Sequence, residues 1–310
     1  MRIRLCLQAA PTDPGSWVSL ARRAEGTGFA ALTVADHPGS GPAPFVALAA
    51  AAAATERIEL GSYVVNAGAW EPLALANEVA TLDVLSGGRA MLGIGAGHTP
   101  AEWTMSGRAY PSAGTRVARM VELTEVTRRL LAGETVTFTG EHVRTVDATL
   151  TGPTPRQERI PLLVGGNGRR VLSYAAEHAD LVGPSGLGRT LPDGHRHEVD
   201  WATSRIADKL ALVHAVAASA GRRPRLDALV QVLEVTDDPP RSAAILAERL
   251  GGVTAEDLLA APYVLLGTVE GIVAELRRHR DRWGITRFTV REAAMDAAER
   301  IIDALAEPAG

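Results

Sequence analysis

Residues 86–103, SGGRAMLGIGAGHTPAEW, decide how this sequence is interpreted. A Gly-Gly turn leads into the apolar residues 90–94, which end at a Gly-Ala-Gly sequence and are followed by His98 and Glu102. An apolar run of this length between turn residues predicts a buried parallel strand. Glycines at its end would let a bulky planar ligand approach the backbone. A plain strand followed by a loop is the alternative, and this segment alone does not decide between the two.

The composition is that of an ordinary globular enzyme. Of the 310 residues, 46% are hydrophobic and 22% are charged, which is too apolar for a disordered chain. The net charge of −4 favours neither nucleic acid nor an anionic membrane as a partner. Cys6 is the only cysteine, which excludes a disulfide within the chain and a cysteine-built metal site. Because we find neither a signal peptide nor a membrane span, we expect a cytoplasmic protein.

Apolar and amphipathic segments alternate along the whole chain, and the pattern predicts eight strands. They are residues 3–8, 29–35, 58–65, 90–94, 160–164, 179–182, 226–235 and 285–290. Helices are predicted at residues 13–26, 44–55, 72–85, 117–131, 169–178, 198–220, 243–250, 254–259, 269–283 and 293–306.

Eight β–α units in a chain of this length favour a (β/α)8 barrel, and we expect one domain over residues 1–310. An open doubly wound sheet is the alternative, but the first β–α turn lacks its glycine fingerprint. A small β excursion is predicted near residues 135–150, because threonine and valine alternate around a glycine turn. Glycine and polar residues predict an irregular loop near residues 183–197.

Polar side chains follow the second, third and fourth predicted strands. They are Asp36 and His37, then Asn66, then His98 and Glu102. Because a parallel barrel carries its active site on the loops after its strands, we expect these side chains at one edge. Each has a plainer alternative: an Asp-His pair before Pro-Gly can form only a turn, and a single histidine can belong only to a loop.

The segment after the fifth predicted strand suits a phosphate group. Gly166, Asn167 and Gly168 precede a helix that begins at Arg169, so free N–H groups, the helix dipole and an arginine coincide. An ordinary helix cap is the alternative. Together with the glycines and histidines after earlier strands, this segment predicts a phosphorylated ring cofactor. We expect no metal ion, because the one close histidine pair, His195 and His197, lies in the irregular loop.

At these positions the sequence resembles the luciferase-like flavin- and F420-dependent oxidoreductases, especially their actinobacterial F420-dependent branch. The resemblance covers essentially the whole chain and rests on several segments together, none of which is specific alone. They are residues 34–37, 60–62, 80–89, 92–98, 161–166, 175–180 and 266–268.

The resemblance implies a (β/α)8 barrel that is usually a homodimer and binds the deazaflavin F420, with FMN as the alternative. It implies that Asp36 contacts the ring or its side chain, that His37 lies near the reactive carbon and that Asn66 contacts the cofactor. It also implies a non-proline cis peptide between Tyr63 and Val64. The remaining predicted cofactor-binding residues are Gly97 near the ring and Gly166, Asn167, Gly168 and Arg169 at the phosphate.

The activity that follows is hydride transfer between F420 and a small organic substrate, with His37 or His98 handling one proton. We expect reduction of an activated C=C or C=N bond, or oxidation of an alcohol. A sugar phosphate is less expected, because Lys209 is the only lysine, although arginine could substitute. An FMN-dependent two-component monooxygenase and a non-catalytic cofactor-binding barrel are the alternatives.

Two departures from the family affect these expectations. Some members carry an acid where this chain has His98, and some follow the Asp-His pair with an aromatic residue that this chain lacks. We therefore expect a different substrate pocket. Its predicted walls are residues 38–44, Trp70, Trp103, Tyr110 and the loop 183–197.

Overall fold

The computed structural model describes residues 2–190 and 197–306. In chain order its strands are β1 (Arg4–Gln8), β2 (Ala31–Val34), β3 (Glu59–Ser62), β4 (Val65–Asn66), β5 (Ala90–Gly95), β6 (Val136–Thr139), β7 (Arg144–Ala148), β8 (Leu162–Gly165), β9 (Leu181–Gly183), β10 (Leu187–Thr190), β11 (His197–Val199), β12 (Arg225–Leu229), β13 (Val232–Val235), β14 (Val264–Gly267) and β15 (Ile285–Arg291).

The α-helices are α1 (Pro14–Thr27), α2 (Pro44–Ala52), α3 (Pro72–Ser86), α4 (Pro100–Met105), α5 (Ala113–Leu131), α6 (Arg169–His178), α7 (Thr203–Ser219), α8 (Pro239–Leu250), α9 (Ala255–Ala260), α10 (Val269–Trp283) and α11 (Met295–Ala306). A 3-10 turn, Glu292–Ala294, precedes the last of them. Among the described residues, no helix combines the length and the apolar character needed to cross a bilayer.

The predicted fold class, a (β/α)8 barrel, is confirmed: β1, β2, β3, β5, β8, β9, β12 and β15 belong to one sheet and alternate with helices along the chain. The residues group into two compact units. The N-terminal unit comprises Ala9–Glu25 and Ala31–Gly165, and the C-terminal unit comprises Met1–Gln8, Gly26–Ala30 and Gly166–Gly310. One domain over residues 1–310 stays a prediction.

In the N-terminal unit β2, β3, β5 and β8 run parallel. β3 pairs with β2 and β5, and β5 pairs with β8. The approach of β3 and β5 requires glycine, because a Cβ on Gly93 would lie 2.0 Å from the Ser62 carbonyl oxygen, and one on Gly61 would lie 2.6 Å from that of Met91. Helix α3 buries Leu75, Val79 and Leu82. The strands therefore pack closely, with an apolar helix in the core.

The C-terminal unit contains a second parallel set, in which β15 pairs with β1 and β12, and β12 pairs with β9. A polar group lies inside it. The Arg287 guanidinium Nε is 3.2 Å from Asp227 Oδ2, and the Thr289 hydroxyl donates to Asp227 Oδ1 at 2.8 Å. Loss of either Arg287 or Asp227 would leave the other as an unpaired buried charge, which is costly, so each is required for the burial of the other.

Several predicted boundaries are wrong. The strand predicted at residues 226–235 is two strands, β12 and β13, because the chain leaves β15 and continues beside β14: the Val230 N–H donates to Thr289, whereas that of Gln231 donates to Tyr263. β14 itself was not predicted. The third predicted strand also divides, into β3 and β4, around a cis peptide between Tyr63 and Val64.

The segment near residues 183–197 is more regular than predicted. β10 and β11 form an antiparallel pair, so the helix predicted from residue 198 begins only at Thr203. Two contacts hold the chain extended before that point: the Asp200 N–H donates to the Gly186 carbonyl, and Trp201 is buried. The predicted β excursion is confirmed by the antiparallel pair of β6 and β7. Residues 191–196 of the predicted loop, including His195, lie outside the described residues.

A buried histidine lies on α10. The His279 ring stacks on Trp283 with centroids 5.2 Å apart, and its Nε2 is 3.4 Å from Glu275 Oε1. Burial, followed by the charges of Arg278 and Arg282, lowers the pKa of His279 to about 4 from an ordinary 6.5. The ring is therefore neutral in the folded protein over a range in which the unfolded chain is protonated.

We predict that His279 makes the folded state lose stability as the pH falls from about 6.5 to about 4, because only the unfolded state takes up this proton there. A shift of this size corresponds to about 3 kcal/mol at the acid end. H279F keeps a stacked ring without a titrating proton, so its urea midpoint should fall less between pH 7.5 and pH ~4.5 than that of the wild type. H178Q, at an exposed position on α6, is the control. An equal fall in wild type and H279F would contradict the prediction.

Candidate active site

The ends of β2, β4 and β5 present the polar side chains singled out in the sequence. Asp36 and His37 follow β2, Asn66 ends β4, and His98 follows β5. Thr99 is the N-cap residue of α4, and Pro100 occupies its first turn. This short helix was not predicted from the sequence. It places Glu102 in its first turn, where the helix dipole favours an acid. All these residues belong to the N-terminal unit.

A buried carboxylate joins two of these side chains. Glu102 Oε1 is 2.8 Å from His37 Nδ1, and Glu102 Oε2 accepts a hydrogen bond from Asn66 Nδ2 at 2.5 Å. Only 4% of the Glu102 side chain is exposed, against 41% of the His37 side chain. The histidine therefore reaches solvent on one side while the acid holds it on the other.

Asp36 is a second buried carboxylate nearby, with other partners. Its Oδ2 accepts the Trp70 indole N–H at 2.8 Å and the Asn66 backbone N–H at 3.0 Å. Burial raises the pKa of Asp36, and the charge of Glu102 adds to the rise, although the two hydrogen bonds oppose it. Asp36 thus fixes the backbone at the end of β4 and leaves the His37 imidazole to Glu102.

The two candidate proton-handling histidines are neighbours. The ring centroids of His37 and His98 are 5.6 Å apart, edge to face. The Tyr110 hydroxyl donates to the His98 carbonyl at 2.9 Å, and Arg116 Nε donates to the Gly97 carbonyl at 2.7 Å. These bonds fix the backbone that carries His98. The structure therefore brings together the side chains predicted after β2 and β5.

Asn66 and Gly97 meet closely. Gly97 has φ +75°, and a Cβ there would lie 2.0 Å from Asn66 Oδ1. That oxygen accepts the Gly68 N–H at 2.8 Å, so the amide nitrogen must face Glu102. A glycine at position 97 is therefore needed for the Asn66 amide to keep its orientation.

The cis peptide expected from the family resemblance is present between Tyr63 and Val64. The Val64 side chain lies where Gly95 and Gly165 leave room, since a Cβ on either glycine would come within 2.7 Å and 2.9 Å of its methyl groups. These two strand-end glycines are the sequence signal for a close approach at this point.

A cleft of about 320 Å³ adjoins these side chains. It is lined by Asp36, Pro38, Asn66, Ala69, Trp70, Glu102, Trp103, Ser106 and Arg108. Three of the predicted pocket residues, Pro38, Trp70 and Trp103, are among them. Tyr110 is not, although its ring centroid lies 6.4 Å from that of Trp103. Arg108 was not predicted; its guanidinium lies over the Trp103 ring, 4.6 Å from the centroid. Recognition of α4 in the sequence could have indicated it.

The predicted phosphate-binding residues belong to the C-terminal unit. Gly168 is the N-cap residue of α6 without a side-chain cap, and a Cβ there would meet nothing within 4 Å. The Asn167 amide donates to the Leu187 carbonyl at 3.0 Å, whereas its buried Oδ1 has no hydrogen-bond partner among the described residues. An open helix N-terminus followed by Arg169 fits an anion, and the Asn167 oxygen fits a hydrogen-bond donor of a bound molecule.

No group of three or more histidine, cysteine, aspartate or glutamate side chains suited to a metal ion occurs within residues 2–190 and 197–306. Of the weak histidine pair, His197 lies in β11 and His195 is outside the described part.

Sequence comparisons connect the whole chain to one family. The family model described as luciferase-like monooxygenase matches residues 2–302. An F420-dependent glucose-6-phosphate dehydrogenase of Intrasporangium calvum is 33% identical over 234 residues, which are 71% of this chain and 65% of that protein. One of Kineococcus radiotolerans is 34% identical over 187 residues, 57% of this chain and 55% of that protein. The matches thus span less than two thirds of these relatives' length.

Solved structures share the fold. The F420-dependent tetrahydromethanopterin reductase of Methanopyrus kandleri superposes with a TM-score of 0.77 at 19% identity, over 97% of each chain. An F420-dependent secondary alcohol dehydrogenase in complex with an F420–acetone adduct gives a TM-score of 0.77 at 20% identity, over 99% of this chain and 100% of that one.

We predict that G97A disturbs Asn66 more than its backbone strain alone requires. G107A is the matched control, because Gly107 has φ +72° but open space where a Cβ would be built. In both variants an L-residue in the left-handed region lowers the free energy of unfolding by about 1 kcal/mol. Overpacking against Asn66 should lower it by about 1–3 kcal/mol more in G97A. Urea unfolding of both variants measures the difference. Equal losses of unfolding free energy in G97A and G107A would contradict the prediction, because Asn66 would then move away from the added methyl group without a free-energy cost.

Proposed function

Because the chain belongs to the luciferase-like monooxygenase family, we propose that it is an F420-dependent oxidoreductase. It transfers a hydride between the deazaflavin and a small organic substrate. The observation that carries this proposal is the pair of neighbouring imidazoles, His37 and His98. Glu102, the hydrogen-bond partner of His37, lines a partly aromatic cleft. Relatives at 33% identity and above are named as F420-dependent dehydrogenases, which favours F420 over FMN.

The bound deazaflavin supplies or accepts the hydride, and the protein positions the reactants and manages a proton. We propose that His37 or His98 holds that proton, since imidazole titrates near neutral pH. Asp36, Asn66, Gly97 and the Tyr63–Val64 segment are proposed to bind the cofactor. Trp70 and Trp103 are proposed to line the substrate side of the cleft and to exclude water from it.

In the C-terminal unit we propose that the backbone N–H group of Gly168, together with Arg169, binds the cofactor's phosphate. The uncapped N-terminus of α6 supports this, because its dipole and free donors attract an anion. Gly166, whose own N–H donates to the Gly183 carbonyl at 3.1 Å, is proposed to hold the loop that carries them. The buried Asn167 oxygen, which has no hydrogen-bond partner among the described residues, is proposed to accept from a hydroxyl or N–H group of the same molecule.

For the substrate we propose a compound with an activated C=C or C=N bond, or an alcohol. The relatives are named for a sugar phosphate. In this chain the single lysine, Lys209, is engaged by Asp200 at 2.5 Å, so a sugar phosphate would have to be held by arginines. The cleft favours a smaller, less charged compound, because Pro38, Trp70 and Trp103 form much of its wall.

We also propose a cytoplasmic homodimer. Val46 on α2 and Leu73 on α3 are 70% and 43% exposed, and these two helices of the N-terminal unit contact one another. We propose these two helices as the dimer contact, because contiguous exposed apolar surface marks interaction sites.

We predict that the purified protein binds F420 with a dissociation constant in the micromolar range or below and does not bind FMN measurably in that range. Titration followed by cofactor absorbance and tryptophan fluorescence checks this, since Trp70 and Trp103 line the cleft. Micromolar FMN binding without F420 binding would overturn the proposal and favour the monooxygenase alternative. F420 binding without turnover of any substrate class would favour a non-catalytic role.

We predict that H37A lowers kcat by about 10²–10⁴-fold, the usual contribution of a positioned acid or base. H98A should lose less, because the exposed His98 ring is held by a hydroxyl contact with Thr99 at 3.3 Å, whereas Glu102 fixes His37. Oxidation of reduced F420 by cyclohexenone and reduction of F420 by isopropanol are the assays, and H178A on α6 is the control. Wild-type rates in both H37A and H98A would show that neither histidine handles the proton.

A further inference from the structure

We propose that Glu102 is a positioning residue that fixes the tautomer and orientation of the His37 ring. The ring then carries its proton on Nδ1 and presents the Nε2 lone pair away from Glu102. This inference rests on the proposed function only for the use made of that lone pair; the tautomer itself is a property of the protein alone.

The hydrogen-bond pattern around Glu102 determines the tautomer. An ionised carboxylate only accepts hydrogen bonds, so the His37 Nδ1 at 2.8 Å must donate. The second oxygen is already occupied by Asn66 Nδ2. Each oxygen of the Glu102 carboxylate thus accepts one of these two hydrogen bonds, and the carboxylate is buried. In a neutral His37 ring, Nε2 is therefore the acceptor.

The Asn66 amide cannot turn to change this pattern. Its oxygen accepts the Gly68 N–H, so its nitrogen has to face Glu102. The segment from Asn66 to Trp70 is itself clamped, because the Arg119 guanidinium donates to the carbonyls of Ala67 and Trp70 at 3.2 Å and 2.7 Å. The donor that faces Glu102 is thus set by the backbone.

Helix α4 is held just as firmly on the other side. Trp103, the residue after Glu102, is 5% exposed and packs on Gly68 so tightly that a Cβ there would lie 2.2 Å from the indole ring. The Arg108 guanidinium covers the indole from outside. The backbone that carries Glu102 is therefore held in place, as is required of a residue that orients another side chain.

Among the groups near His37, Asp36 cannot take this role. Its Oδ2 accepts from Trp70 and from the Asn66 backbone, and no hydrogen bond joins it to the His37 ring in the described contacts. The second imidazole, His98, meets His37 edge to face with centroids 5.6 Å apart. Glu102 is the group whose atoms reach Nδ1.

The test reads the tautomer directly in the cofactor-free protein. Long-range ¹H–¹⁵N spectra of histidine-labelled protein distinguish protonated from unprotonated ring nitrogens, and the signals missing from H37A assign His37. We expect the Nδ1–H form in the wild type. A wild-type spectrum showing the Nε2–H form would overturn the proposal without any variant.

Substitution E102Q tests the role of the Glu102 carboxylate more strictly. Because Asn66 must donate, the glutamine oxygen has to face Asn66 and its NH₂ group has to face His37, whose Nδ1 must then accept. E102Q should therefore shift His37 toward the Nε2–H form. E141Q, whose side chain is 83% exposed in the same unit, is the control and should leave the signals of His37 unchanged.

Kinetics separate positioning from mere stability. In E102Q we expect kcat to fall at least about tenfold with KM and the F420 dissociation constant within about threefold of wild type, because the lost interaction serves the proton step. An unchanged tautomer in E102Q, or a shifted tautomer with unchanged kcat, would overturn the positioning role. Failure of the wild type to bind F420 would overturn the proposed function, while the spectra would still decide the tautomer.

Discussion

No side chain fits between β3 and β5 at Gly93, and the candidate site depends on that close approach. Ser62 and Gly93 are joined twice: the Ser62 hydroxyl donates to the Gly93 carbonyl at 2.8 Å and accepts its N–H at 3.0 Å. The strands meet so closely that the segments after them come into contact. Asn66 from one and Gly97 from the other consequently touch, and the acid one helical turn beyond His98 reaches Asn66.

A second constraint follows from the first. Two buried carboxylates, Asp36 and Glu102, lie beside one asparagine, and each has a separate set of donors. Asp36 takes the Asn66 backbone and the Trp70 indole, whereas Glu102 takes the Asn66 amide and the His37 ring. Because buried acids without donors are costly, this division explains how both remain in one small region. It also leaves the outer face of His37 open to solvent and to a bound molecule.

Much of the fold could be predicted from the sequence, because buried parallel strands are continuous apolar runs and helix ends carry proline and glycine. The helices Arg169–His178 and Val269–Trp283 have the predicted bounds. The failures occurred where tertiary contacts override local pattern. Residues 226–235 contain seven leucine, valine and alanine residues interrupted by single polar ones with no glycine or proline, and only the change of partner from β15 to β14 divides them. The ribbon of β10 and β11 depends on pairing that a glycine-rich sequence does not reveal.

The candidate site was predictable to a similar degree. Position after a strand was enough to select Asp36, His37, Asn66 and His98, and the structure places them together in one unit. The partnership of Glu102 with His37 was not predicted, since it depends on the six-residue helix α4 and on the orientation of the Asn66 amide. Arg108 and Ser106 were missed for the same reason. Hydrogen-bond direction and short-helix geometry are tertiary properties, which strand spacing does not encode.

The most direct measurement of the central claim is a crystal structure of the protein with F420 bound. The account predicts the deazaflavin ring over the open face of His37, with the ring nitrogen Nε2 within about 4 Å of the ring or of a substrate atom beside it. It also predicts that the Glu102 carboxylate still holds Nδ1. A deazaflavin ring bound away from His37, with the cleft between Trp70 and Trp103 left empty, would contradict the account.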